Sequence, residues 1–268
     1  MELSGPAAAA ALGPDSVVVL PTGAIEHHGP HLPLITDFLL ADLISAAAVE
    51  QAVTAGLDVW LLPTLSYTKS DEHSWAPGTM WLSWDTMMRT VLDLGRSVAA
   101  TGARKLVFLN GHGGNTALLQ VAVREIRRLT GLQTFVMPSL VVGGPTTGGA
   151  ANSGAANGAA RPNGEGLDER GLSIHGGTAE TSILMHLRPD LVDLSLAERA
   201  VPEHLADLTY IGFNAKPVSF GWLSNDFGPS GVIGDPTQAT EAYGKNLYEF
   251  SVRQAVASLA EIAAFRFQ

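Results

Sequence analysis

The sequence predicts an α/β fold whose mostly parallel sheet is covered by helices on both faces. Short β-branched or apolar runs alternate with longer helical patterns along the 268 residues, and several of these runs stop at Pro or Gly. The composition agrees, with 46% hydrophobic and only 16% charged residues, where about 25% charged is ordinary for a soluble domain. Taken in order, the alanines 7–11 read as a short helix or a frayed terminus. Glu2 and the lack of a basic n-region argue against a signal peptide. Residues 17–20 (Val-Val-Val-Leu) form a buried strand stopped at Pro21-Thr22-Gly23, and the Ala/Leu-rich stretch 38–55 is a helix closed by Gly56. A second strand covers 58–62 and stops at Pro63. A helix follows over 86–101, with Leu92, Gly95 and Ala99 on one face and Gly102 as its stop. Residues 105–109 are a third strand, 115–130 a helix with a basic last turn that suits its dipole, and 133–137 a fourth strand. A helical pattern at 183–187 and a C-terminal helix complete the chain. The rhythm breaks at 143–160, where six Gly, six Ala and no charge predict a flexible loop, either a surface insertion or a lid. No repeat or linker divides the sequence, so one domain is expected over residues 1–268.

Composition also excludes whole classes of function. Without cysteine there is no disulfide scaffold, thiolate zinc site, iron–sulfur cluster or cysteine nucleophile. A net charge of −10 and no basic stripe argue against nucleic acid as a partner. No apolar run reaches the ~20 residues of a spanning helix, so no membrane partner is expected. The expectation is a cytoplasmic protein, and its sparse charge suggests surface buried in a homo-oligomer.

Three segments hold the chemistry. The first follows the first strand and runs from Gly23 through Glu26, His27, His28 and His31 to Asp37. In extended chain, residues two apart face the same side, so Glu26 and His28 can converge, while Pro30 and Pro33 keep the segment out of helix and let it turn back to present Asp37. Imidazole and carboxylates from one stiff loop suit Zn²⁺, Mn²⁺ or Fe²⁺, and ligands in open α/β sheets gather at the carboxyl ends of strands. The second segment is Asn110-Gly111-His112-Gly113-Gly114-Asn115, between a strand and a helix. A dinucleotide fingerprint fails there because Thr116 stands where the third glycine belongs; the glycines instead let backbone pass near a metal that His112 can ligate. The third is His175-Gly-Gly-Thr-Ala-Glu180-Thr-Ser182. Neither the HExxH helix nor the GxSxG elbow is present.

These three segments, in this order, resemble the creatininase (creatinine amidohydrolase) family, as do Pro77-Gly78-Thr79 and the Gly-Val-Ile-Gly-Asp-Pro run at 231–236 with Ala239-Thr240. The resemblance implies a dinuclear metal hydrolase on a three-layer α/β/α sandwich, assembled as a hexamer. It implies Glu26 and His112 as ligands of one ion, His28 of the other, Asp37 as the bridging carboxylate, and His175 beside the substrate for proton transfer. Creatininases proper carry a glutamate where Gly114 stands here, and a tryptophan at Gly171. Glu180 is the expected replacement, as metal ligand and as catalytic carboxylate. Both departures point away from creatinine itself.

The expected cofactors are two divalent ions, Zn²⁺ and/or Mn²⁺ with Fe²⁺ also compatible, held about 3.5–4 Å apart and sharing a hydroxide. Substrate contacts are sought in Glu72, His73, Trp75 and Trp81, from a stretch with three tryptophans in ten residues, and in Trp222. Packing in the core or in an oligomer is the competing account of those tryptophans. Phe220 and Asp226 are weaker candidates, and His27 and His31 read as structural. The expected activity is hydrolysis of a small, cyclic amide at a C–N bond other than an ordinary peptide bond. Alternatives are a peptidase trimming a cofactor precursor, a lactone or ring-ketone hydrolase, and a non-catalytic metal- or small-molecule-binding protein.

Overall fold

Runs of Val, Leu and Phe pair side by side as strands β1 (Val17–Thr22), β2 (Val59–Leu61), β3 (Lys105–Asn110) and β4 (Gln133–Pro138). The computed structural model describes residues 3–142, 169, 171–213 and 216–267, so the Gly/Ala-rich segment 143–160 lies outside the described residues. The strand order is β2-β1-β3-β4 and every pairing is parallel. Parallel neighbours need a crossover, which the helices α2 (Thr36–Thr54), α3 (Trp84–Ala100) and α4 (Thr116–Thr130) supply in turn. Helix α1 (Gly5–Ala11) precedes the sheet, and α5 (Thr178–Leu187) and α6 (Glu241–Ala264) follow it.

Strand side chains alternate between two cores, because successive residues face opposite sides of a sheet. Val17, Val19, Val107 and Leu109 pack with α2, α5 and α6, including Ile44, Ile183 and Leu259. Val18, Leu20, Leu106 and Phe108 pack against α3 and α4, including Met87, Val91, Leu119 and Ile126. The architecture is therefore a three-layer α/β/α sandwich. On α3 the buried stripe is Met87, Val91, Gly95 and Val98 rather than the expected Leu92–Gly95–Ala99 face. Leu92 and Ala99 lie half-buried at its margin, about one residue round the helix.

Two helix starts differ from expectation, and both place a carboxylate. Helix α2 opens at Thr36, two residues before the expected start, so Asp37 lies in its first turn. Helix α5 opens at Thr178 rather than 183, which puts Glu180 in its first turn. The positive end of a helix dipole favours an anion at each position. Chain order switches direction between β1 and β3, where a crevice opens beyond the strand ends. There Thr22 pairs with Asn110, and its hydroxyl donates to Asn110 Oδ1 at 3.0 Å. Gly23 and Gly111 follow these two strands. A Cβ on either would overlap α2 backbone at Asp37–Phe38, so the two glycines let the start of α2 lie directly across both strand ends.

Candidate metal centre

Three histidines of the centre are each anchored through one ring nitrogen. His28 Nδ1 donates to the Glu26 carbonyl at 3.1 Å, His112 Nε2 to the Lys69 carbonyl at 2.8 Å and His175 Nε2 to the His27 carbonyl at 2.6 Å. A carbonyl only accepts, so the opposite nitrogens, His28 Nε2, His112 Nδ1 and His175 Nδ1, are left to face the carboxylates of the cluster. The same arrangement is how proteins orient a ligating imidazole.

Asp37 stands between two of these nitrogens. Its Oδ1 is 3.1 Å from His28 Nε2 and its Oδ2 is 2.8 Å from His112 Nδ1. Glu26 Oε2 lies 3.2 Å from His112 Nδ1 and accepts the Ser70 hydroxyl at 2.5 Å. Glu180 Oε2 is 4.0 Å from His28 Nε2 and accepts Gly176 N at 2.6 Å. Two groups of potential ligands therefore share Asp37, namely Glu26–Asp37–His112 and His28–Asp37–Glu180, each with its atoms within 4.8 Å of one another. Glu26, His28 and His175 make a third such group. Glu26 Oε1 is buried with no hydrogen-bond partner among the described residues. Three ring nitrogens, of His28, His73 and His175, surround it at 3.6–3.7 Å. An orphaned carboxylate oxygen is costly unless something cationic meets it. The nitrogen and oxygen donors fit Zn²⁺ or Mn²⁺.

Electrostatics in this buried cluster is strongly paired. Burial pushes the Glu26 carboxyl up, but His112 and His73 hold it down at about 2. Asp37 is likewise lowered against its burial by His28 and His112. Burial opposes the charge on His28, yet Asp37, Glu26 and Glu180 raise it to about 10. His112 is also raised, against its burial, by Glu26, Asp37 and Glu72. His175 goes the other way, because burial and the neighbouring His73 and His28 push it well below its ordinary value and leave it neutral. Burial lifts Glu180 to about 7, helped by Asp37 and Glu26 and opposed by His28. An ion that binds here must take the place of protons on His28 and His112.

The centre opens on a cavity of about 250 Å³. Glu26, Asp37, His112, His175 and Glu180 line it, as do Glu72, His73 and Trp222. His28 sits beneath this lining, fully buried. His73 packs on His175 with ring centres 4.0 Å apart. Burial pushes the Glu72 carboxyl up, but His112 and Lys69 hold it at about 2. Trp75 and Trp81 do not line the cavity. The Trp75 indole N–H donates to Ser224 Oγ at 2.8 Å and its ring meets His27 edge-on. Trp81 is 45% exposed on the surface. Asp226 turns away to accept Leu223 N at 2.8 Å.

His27 and His31 both brace the His175 turn. His27 supplies its carbonyl to His175, while the buried His31 ring contacts Gly176 O at 3.1 Å and Thr181 Oγ1 at 3.0 Å. Sequence reasoning missed Phe213, which completes an aromatic wall with Phe220 and Trp222. It also missed Ser70 and Lys69, although the adjacent Asp-Glu-His run marked that turn as chemically dense.

Residues 1–259 match the creatininase family, described as creatinine amidohydrolase. A mycofactocin precursor peptide peptidase of Mycobacterium ulcerans is 32% identical over 248 residues, 91% of this chain and 84% of that protein. A creatinine amidohydrolase of Pseudomonas putida is 35% identical over 190 residues, 67% of each chain. The crystal structure of a creatininase aligns with a TM-score of 0.70 at 26% identity, covering 97% of this chain and 95% of that one. Two further creatininase structures at 26% identity, a Mn form and a Zn–Zn form of a variant, align with TM-scores of 0.68 and 0.67.

Proposed function

The chain belongs to the creatininase family of hydrolases, and we propose that it is a dinuclear metal-dependent hydrolase cutting the C–N bond of a peptide amide. The observation that carries this reading is the pair of ligand groups sharing Asp37 at the floor of one cavity. Glu26, Asp37 and His112 would hold one ion and His28, Asp37 and Glu180 the other, Asp37 being common to both groups. Zn²⁺ or Mn²⁺ suits both groups, as the metal forms of related creatininases do. Two divalent ions bound there would supply Lewis acidity toward the amide carbonyl and lower the pKa of water enough to give a nucleophile near neutral pH.

The chain's own residues do the rest. His175 is neutral and keeps its Nε2 proton on the His27 carbonyl, so Nδ1 is free to take a proton from the attacking water. The same nitrogen then returns that proton to the leaving amine. Glu180 is held toward His28 by Gly176 N, which favours a ligand's role over that of a mobile base. Phe213, Phe220 and Trp222 contact the apolar flank of the substrate and keep water from the reacting amide. Glu72 and His73 line the same cavity.

A peptide substrate is favoured because the relative named a peptide peptidase aligns over 91% of the chain, against 67% for the one named a creatinine amidohydrolase. A small cyclic amide is the second reading, favoured by a cavity of about 250 Å³, which is below the ~300–1,000 Å³ usual for drug-sized ligands. Zn²⁺- or Mn²⁺-loaded protein should be assayed against short peptides, creatinine and dihydropyrimidines, with products read by mass spectrometry. Peptide cleavage that a chelator abolishes and Zn²⁺ or Mn²⁺ restores is the expected result. Turnover of the ring amides alone would move the reading to the second, and metal binding with no turnover of any substrate would leave a binding protein.

Self-assembly belongs to the same reading. Tyr67, Met80, Trp81 and Trp84 are 45–68% exposed, on segments joined by the Leu82 N to Thr68 O hydrogen bond. Copies of the chain meet through this face, the hexamer being the expected assembly. Analytical ultracentrifugation of the full chain, with Trp84→Glu as the disrupting variant, tests it.

A further inference from the structure

The turn Asp71–His73 carries Glu72 into the cavity wall, close behind His112. Glu72 Oε2 accepts Lys69 Nζ at 2.8 Å, and Lys69 Nζ also meets Asp71 Oδ1 at 2.8 Å. Glu72 Oε1 lies 3.4 Å from His112 Nε2, the nitrogen that donates to the Lys69 carbonyl. Lys69 therefore holds the imidazole through its carbonyl and the carboxylate through its ammonium. Gly114 explains how the carboxylate fits. A Cβ at this position would overlap Glu72 Oε1 and crowd His112 Nε2, whereas the backbone of Gly114 is not among the left-handed glycines. Space, not conformation, calls for glycine.

The geometry points to Glu72, clamped by Lys69, as a positioning residue that fixes the His112 ring toward the metal centre, with Gly114 providing the room it occupies. The inference rests on the metal-centre reading above. It gives Glu72 a task behind a ligand rather than against substrate, and it makes Gly114 a requirement of the clamp instead of a lost ligand. A carboxylate behind a ligating imidazole raises its basicity and holds its orientation, and losing such a partner typically costs about 10–100-fold in metal affinity.

The test is Zn²⁺ affinity of the full chain, measured by competition with a chromophoric chelator, together with the visible absorption of the Co²⁺-loaded protein. Glu72→Gln keeps the shape of the side chain, Gly114→Ala fills the space, and the double variant closes the cycle. Each single variant should weaken one of two Zn²⁺ sites about 10–100-fold and shift the Co²⁺ bands. The double variant should lose no more than the worse single one, because both act on the same clamp. Glu72→Gln with wild-type affinity and an unchanged Co²⁺ spectrum overturns the clamp, and so do losses that multiply in the double variant. Wild-type protein that binds no stoichiometric Zn²⁺ overturns the metal centre itself, a failure distinct from that of the clamp.

Discussion

The floor and the rim of the cavity are built from different forces. On the floor, Glu26, His28, Asp37 and His112 are 1–4% exposed, and the histidines are pinned by backbone carbonyls. They sit just beyond β1 and β3 and in the first turn of α2, where strand pairing and helix geometry leave little freedom. The rim residues Phe213, Phe220 and Trp222 are half-buried and lie outside the helices and strands. Ring contacts hold them, with Phe213 5.7 Å from Phe220 and from Trp222 and 5.2 Å from Phe227. Directional bonds fix ligand atoms as metal chemistry requires, whereas dispersion contacts are individually weak and tolerate repacking. If the floor carries the chemistry and the rim the selection, as proposed above, substitutions on the two regions should have different kinetic signatures.

The largest effect is expected at the shared floor residue. Asp37→Ala removes a group common to both ligand sets, so both ions should be lost on elemental analysis. On the proposed reading activity should fall by about 10⁴-fold, since ions held there would supply several kcal/mol of transition-state stabilisation. Retention of two ions in that variant would remove Asp37 from the bridging position. His175→Ala should keep both ions and lose about 10²-fold in kcat, the lower end for a general acid–base. A loss confined to KM would instead make His175 a binding group.

Stripping the metal should expose the floor's proton balance. His28 holds its proton up to about 10 in the folded chain, against about 6.5 when unfolded. Its contribution to stability is therefore fully present below about pH 6.5 and lost as pH rises through about 10. Glu180 acts in the same direction at lower pH, because a carboxyl raised to about 7 favours its protonated form when folded. Stability is then lost from about pH 4.5 to 7. Melting of metal-free protein between pH 7.5 and 10, above the range in which the lowered His31, His73 and His175 act in the opposite sense, should show Tm falling, and excess Zn²⁺ should flatten the slope by displacing the proton on His28. A Tm that climbs over this range would contradict the pairing of His28 with its carboxylates.

On the rim, Trp222→Ala should raise KM about tenfold, some 1.4 kcal/mol, with kcat nearly unchanged. A matching drop in kcat would mean that rim and floor are coupled. The smallest effect is expected at Trp81. With Trp81 45% exposed and off the cavity, Trp81→Ala should leave kcat/KM unaltered and shift the stability of a dispersed chain by no more than about 0.5 kcal/mol.

How legible each part was in sequence follows from the range of the interactions that make it. The four strands could be read because β-branched runs and their Pro or Gly stops are local. Glu26 and His28 could be paired because two-residue spacing in extended chain leaves them on one side whatever surrounds them. The first turn of α5 was not legible, because Thr178–Ser182 carries no apolar period; Gly177 and the Glu180 bond to Gly176 start that helix. The tryptophans misled for a related reason, since composition marks an aromatic residue as adhesive without saying which way it points. Trp75 went to Ser224, Trp81 to the surface, and only Trp222 to the cavity.

By itself the sequence determined the layers, the lack of thiolate chemistry and the carboxylate–imidazole character of the site, all consequences of residue type and short-range spacing. Tertiary structure alone decided that Lys69 and Ser70 stand behind the cluster and that Phe213 faces Trp222, and it brought His112 to 2.8 Å from Asp37 and 3.2 Å from Glu26, a meeting that residue types and spacing do not give and only the family resemblance implied. The physical reason is the strand order β2-β1-β3-β4, which sets β1 beside β3 and brings Thr22 to Asn110 across 88 residues of chain. No periodicity along the chain encodes such a meeting; it follows from which faces bury together once the sheet has formed.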